Sequence, residues 1–162
     1  MITDNIQLGK KFEDEIHQLI IQTNYPVFRE NEIIKKYDKS VYGIDHLIQT
    51  SFFIVTIQDK WRQVKPTLNE INHFLMATRR ISKIENKSYL AIYLSKLPPT
   101  SNAKLAISFD NSNSYNEIIT INGDSHELLK IKLSILLYKY KIYFYDYDDS
   151  AIMLDYIHYL YK

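Results

Sequence analysis

Two short segments carry the residues most suited to chemistry, Gly43-Ile44-Asp45-His46-Leu47-Ile48 and Ile57-Gln58-Asp59-Lys60-Trp61. Both are rich in β-branched and apolar residues and read as consecutive strands. Side chains two apart in a strand share a face, so Gln58 and Lys60 emerge together while Asp59 points away. A reversal at Thr50-Ser51 pairs residue 49 with 52 and 45 with 56, which puts Asp45 on the face of Gln58 and Lys60. A one-residue slip would carry Asp45 to the opposite face.

The chemistry such a set could perform is phosphodiester hydrolysis, which needs phosphate charge neutralised and a water made nucleophilic. Asp45 is the expected primary ligand of a divalent cation, with the Gln58 side-chain oxygen and the Asp59 main-chain carbonyl completing the protein's share. Lys60 would orient the attacking water or help to deprotonate it. Glu13 is the expected third contributor, because it lies next to Phe12 and on the helical row of Ile16 and Ile20, bordering the apolar stripe. Singly, each has an ordinary reading: Asp45 a strand-end carboxylate, Lys60 a solvated edge charge, Gln58 an edge amide, Glu13 a helix-surface acid. Together, amid apolar runs, they are harder to place as surface, since buried charge is costly unless paired or metal-bound.

The absence of cysteine excludes disulfides and thiolate sites, so a metal would rely on oxygen or imidazole ligands, which favours Mg²⁺ or Mn²⁺. His17, His46, His73, His126 and His158 show no zinc-ligand spacing, and His46 should face away from its neighbour Asp45. Trp61, Arg62 and Lys65 follow the second strand where backbone phosphates would pass. Arg62 and Lys65 are expected DNA contacts, with solvated surface as the alternative, and Trp61 fits a core role equally well.

The elements that must position these residues follow from pattern. Leu8, Phe12, Ile16, Leu19 and Ile20 predict an amphipathic helix over 4–22. Val27–Tyr37, Val41–Gln49 and Phe52–Trp61 read as three strands of an antiparallel meander. Thr67 and Glu70 make a capping box for a helix over 67–81, and Tyr89–Ser95 is a nearly all-apolar strand suited to burial on both faces. A strand over Glu117–Ile121, a helix over 125–138 capped by Asp124 and Glu127, a strand over Lys141–Tyr145 and a last helix over Ser150–Tyr161 complete the reading. The sum is one α/β domain, a central mixed sheet flanked by helices.

In these motifs and their order the chain resembles the PD-(D/E)XK nuclease superfamily, specifically its Mrr-type restriction endonuclease domain, in which Gln-x-Lys often replaces Glu-x-Lys. Gly9-Lys10-Lys11-Phe12-Glu13 resembles the family's first-helix Gly-x-x-Phe-Glu, and Gly43-Ile44-Asp45 its Gly-x-Asp strand. Thr100-Ser101-Asn102-Ala103 resembles its Ser-x-x-Ala helix start, and Ile119–Gly123 followed by Glu127-Leu128-Leu129 its ending, with Asn122 where that ending often has Asp. The resemblance covers about residues 9–135. It implies a restriction-endonuclease-like sandwich with an α-β-β-β-α-β core and an Mg²⁺-dependent DNA endonuclease with active-site roles for Glu13, Asp45, Gln58 and Lys60. No separate DNA-reading domain is expected within these residues, so restriction-like and junction-resolvase-like cleavage both stay open, as does a nuclease fold that binds without cutting.

Composition sets the outer limits. The 162 residues fit one domain, and 46% hydrophobic with 24% charged residues describes a globular chain. No apolar run is long enough for a membrane span or a signal peptide, so an intracellular protein without membrane contact is expected. A formal net charge of +1 denies it a global basic field. Eight of the 14 tyrosines fall within 136–162, an extension beyond the resemblance that fits a homodimer interface or packing within the chain.

Overall fold

A computed structural model describes residues 2–112, 116–144 and 158. In chain order the elements are α1 (Ile2–Ile20), β1 (Val27–Arg29), α2 (Glu30–Tyr37), a 3₁₀ turn (Lys39–Val41), β2 (His46–Gln49), β3 (Phe53–Lys60), α3 (Leu68–Glu85), β4 (Ser88–Ser95), α4 (Ser101–Ser112), β5 (Glu117–Asn122) and α5 (His126–Lys139). The five strands form one mixed sheet in the order β1-β2-β3-β4-β5. The first three pair antiparallel, and β4 and β5 add in parallel. The mixed α/β architecture read from the sequence is therefore observed.

Each face of the sheet has its own core. On one side Phe12, Ile16 and Ile20 of α1 and Leu129, Leu133 and Leu137 of α5 pack with Ile48, Val55, Ile57 and Ile92. On the other, Ile71, Phe74 and Ile81 of α3 and Ala103 of α4 pack with Leu47, Ile54, Ala91 and Tyr93. Odd residues of β3 thus serve α1 and even ones serve α3, the period of two that a strand imposes. Each fully buried large side chain contributes about 1.5–3 kcal/mol. β4, between parallel neighbours, is buried along nearly its whole length, as its apolar run predicts.

Local signals explain the helix that positions the site. Thr67 Oγ1 accepts the Glu70 N–H at 3.3 Å while Glu70 Oε2 accepts the Thr67 N–H at 2.9 Å, the reciprocal box expected from the sequence. α3 then runs four residues further than its apolar stripe suggests and stops at Asn86, whose φ of 53° is the left-handed conformation asparagine tolerates.

Four expectations are corrected. Only Val27–Arg29 of the segment Val27–Tyr37 is strand; Glu30–Tyr37 is helical. The signal was present: Glu30 and Glu32 sit in the first turn, Lys35 and Lys36 in the last, matching the helix dipole, and Glu32 accepts the Arg29 N–H. Likewise Val41–Gln49 is strand only from His46, following a 3₁₀ turn and Gly43, whose φ of +94° suits only glycine and at which a Cβ would come within 3.1 Å of the His73 ring. The cap of α5 is Ser125, accepting from the Leu128 N–H, and not Asp124. Past α5, Phe144 forms an isolated antiparallel bridge with Thr23 in place of a strand over Lys141–Tyr145, of which Tyr145 is not described, and the helix expected over Ser150–Tyr161 lies outside the described residues apart from His158. Among the described residues no helix is long and apolar enough to cross a membrane.

Candidate functional site

The site forms where β2 begins and β3 ends. Thr50 closes the hairpin: its N–H and hydroxyl donate to the Phe53 carbonyl, and its Oγ1 accepts the Phe53 N–H. This centres the turn on Ser51-Phe52, one residue later than expected. His46 consequently pairs with Ile57, and the same ladder brings Asp45 level with Gln58. The register differs from the expected one by two residues, and an even shift leaves every side chain on its intended face. Asp45 is tied in place by its N–H to the Ile57 carbonyl at 3.0 Å and by its Oδ2, which accepts the Asp59 N–H at 2.8 Å.

On the α1 face, one carboxylate oxygen from each of Glu13, Asp45 and Asp59 lies within 4.8 Å of the other two. Asp59 is only 8% exposed and His46 fully buried, and His46 Nε2 and Asp59 Oδ2 are hydrogen-bonded at 2.6 Å. The His17 ring stacks on the His46 ring at 5.7 Å. Burial, and next the Asp59 charge, pushes the Asp45 carboxyl up to about 8; burial, and next the Glu13 charge, does the same to Asp59, also to about 8. Burial lowers His46 to about 4, so at neutral pH it is uncharged. A concentration of acid without a matching buried cation holds protons in place of a metal, and a divalent ion would displace them. The donors are all oxygen, which fits Mg²⁺ or Mn²⁺.

Around this cluster the cavity wall carries Lys10, Arg29, Lys60 and Arg62. Arg29 pairs with Asp14 and Arg62 with Glu70. Asp14 and Glu30 line the same opening, so its rim is mixed in charge, with acids and bases interleaved. Trp61, Phe12 and the His126 ring pack in one mutual cluster, with Lys96 over the Trp61 face at 5.1 Å. Lys65 is exposed beyond the end of β3.

The α3 face is different. Gln58 is 5% exposed and its Oε1 has no hydrogen-bond partner among the described residues. It opens on a second cavity shared with Asp45, Lys60, Glu70, His73 and Tyr93. Asp45 and Lys60 therefore border both cavities, one on each side of the sheet end.

Of the residues singled out in the sequence, Asp45, Gln58 and Lys60 share a cavity as expected, and Glu13 reaches the same strand end. The partition differs, because Glu13 meets Asp45 and the Asp59 side chain on the α1 face while the Gln58 amide lies on the other. Asp59, expected to contribute only its main-chain carbonyl, brings its carboxylate into the acidic cluster. It points away from Gln58 as strand alternation requires, and α1 delivers Glu13 to that side. His46, which does face away from Gln58, is the buried partner of Asp59, a role that a period-two reading of both strands would have shown.

No family model, curated protein or solved structure matches this chain.

Proposed function

We propose that the chain is a divalent-cation-dependent DNA endonuclease built on a PD-(D/E)XK-like, restriction-endonuclease-like core. The observation that carries the reading is the meeting of Glu13, Asp45 and Asp59 carboxylate oxygens within 4.8 Å at a strand end bordered by Lys60. The element order supports it as well: a helix, an antiparallel three-strand meander, a crossover helix and a parallel fourth strand, the α2 insertion aside. So does the agreement of these positions with Gly-x-x-Phe-Glu, Gly-x-Asp and Gln-x-Lys.

In this reading Glu13, Asp45 and Asp59 hold Mg²⁺ or Mn²⁺, which when bound neutralises phosphate charge and acidifies a water. Asp59 is oriented by His46, and the Asp59 N–H orients Asp45. Lys60, on a rigid strand between the two cavities, donates a hydrogen bond to the attacking water or to a phosphate oxygen and balances charge developing there. Lys10, Arg29 and Arg62, with Lys65 beyond, hold the DNA backbone. Incubation with supercoiled, linear and branched DNA and Mg²⁺ or Mn²⁺ tests this. Cleavage abolished by Asp45→Ala and Lys60→Ala is expected, and cleavage that persists in both variants, or none in any condition, overturns it.

One observation favours a second reading, a nuclease fold that binds DNA without cutting. The residue in the Glu-x-Lys position is a neutral amide, and it faces away from the acidic cluster. Calorimetric Mn²⁺ binding that disappears in Asp45→Asn argues against it, whereas tight DNA binding without metal or cleavage supports it.

A further inference from the structure

The cavity on the α3 face has features the hydrolytic reading leaves unused. It measures ≈510 Å³. Two of its lining residues, Gln58 and Tyr93, 5% and 1% exposed, each carry a buried oxygen without a hydrogen-bond partner among the described residues, Gln58 Oε1 and the Tyr93 hydroxyl. Buried polar groups left unpaired are unfavourable, so a ligand that pairs with them is favoured. Phe74 meets the Tyr93 ring edge-on at 5.8 Å, and at the mouth Tyr42, 56% exposed, and His73 form a ring pair 4.5 Å apart. The enclosure is therefore aromatic, with an amide and a phenol in its lining.

The charges define what fits. Glu30, Asp45 and Glu70 line the wall with Lys60; Glu30 is engaged by the Gly43 N–H and Glu70 by Arg62 and the Thr67 N–H. An anionic phosphate would meet three carboxylates here. A neutral planar group with donors on its edge would meet stacking surfaces and the acceptors that lack partners. Asp45 and Lys60 also border this cavity, so such a group would lie one step from the proposed scissile phosphate.

We propose that this cavity receives a nucleobase released from pairing, which directs the enzyme to DNA with an unpaired nucleotide beside the cut. The inference rests on the endonuclease reading for its substrate. A base within a duplex keeps its pairing edge inside the stack and cannot reach Gln58 and Tyr93, and an unpaired one is extruded at least cost.

The test uses duplexes carrying one unpaired 2-aminopurine, or the same base fully paired, with Ca²⁺ to allow binding in place of cleavage. The intact chain is expected to bind the unpaired form about tenfold more tightly, the range of one base stacked on aromatic side chains. It should also change the emission of that base. Tyr42→Ala should abolish the emission change and the preference, and Tyr93→Phe, which keeps the ring, should weaken both, while affinity for paired duplex stays unchanged in each. Equal affinity for the two duplexes with unmoved emission overturns the proposal, and if DNA is nevertheless cut with Mg²⁺, the endonuclease reading survives it. Preference and emission change without cleavage under Mg²⁺ uphold the pocket and overturn the hydrolase. Saturable binding of free dAMP that Tyr42→Ala removes, with no discrimination between duplexes, identifies a free nucleotide as the occupant and also overturns it.

Discussion

Gln58 and Asp59 are adjacent, equally buried and chemically opposite in their surroundings. Asp59 sits among Glu13, Asp45 and the neutral His46, where burial and crowding hold the acids protonated. Gln58 looks into an aromatic cavity whose hydroxyl and amide oxygens lack partners. One strand end thus carries an acidic face suited to a cation and a neutral face suited to a polar, planar group. Asp45 and Lys60 border both. The lesson is that a one-residue step in a strand separates chemistries as completely as a domain boundary would, because side chains alternate across the sheet.

The largest effect should come from the residue common to both faces. Asp45→Ala is expected to reduce DNA cleavage by at least about 10³-fold and to remove calorimetric Mn²⁺ binding; retention of either separates the acidic face from catalysis. Next, Asp59→Asn and Gln58→Ala test which neighbour serves the cation. Asp59→Asn should weaken Mn²⁺ binding about 10- to 100-fold, the range seen when a metal site loses a supporting group, and Gln58→Ala should leave it nearly unchanged. Equal losses would erase the distinction between the faces.

Smaller still is the pH dependence of folding. Asp45 and Asp59 titrate near 8 in the folded chain and near 3.8 unfolded, so between those values the folded state binds more protons and stability falls as pH rises. His46 acts oppositely, since its folded value is about 4 and its unfolded value 6.5, which adds stability as pH rises across that interval. Between pH 6.5 and 8 the two carboxylates act without opposition from His46, and thermal unfolding without metal should show a declining Tm. Mn²⁺ should reverse the decline, and Asp59→Asn should raise metal-free stability at pH 8 by about 1 kcal/mol. A Tm that rises through this window would contradict the acidic face as described. The smallest change is expected remote from both faces: Thr67→Ala should cost about 1 kcal/mol of stability through its lost cap and leave Mn²⁺ binding intact.

Much of the molecule was legible in residue pattern. The α3 cap, the doubly buried β4 and the alternation along β3 all come from interactions within a few residues, which local sequence encodes directly. Glu30–Tyr37 was misread because β-branched and aromatic content outweighed the charge order that caps a helix, and strand preference depends more on surroundings than helix preference does. The hairpin register was read two residues out, yet the faces survived because the error was even.

By itself, the sequence determined that Gln58 and Lys60 share one side of a strand and Asp59 takes the other, since backbone geometry alone requires it. Only the tertiary structure decided which side became acidic. That depended on α1 packing through Phe12 and Ile16 against the odd residues of β3, which carries Glu13 to Asp59 and leaves Gln58 facing Tyr93 and Phe74. Contacts between residues so far apart in the chain arise from burial of whole helix faces, a non-directional force that leaves no local signature at the residues it brings together.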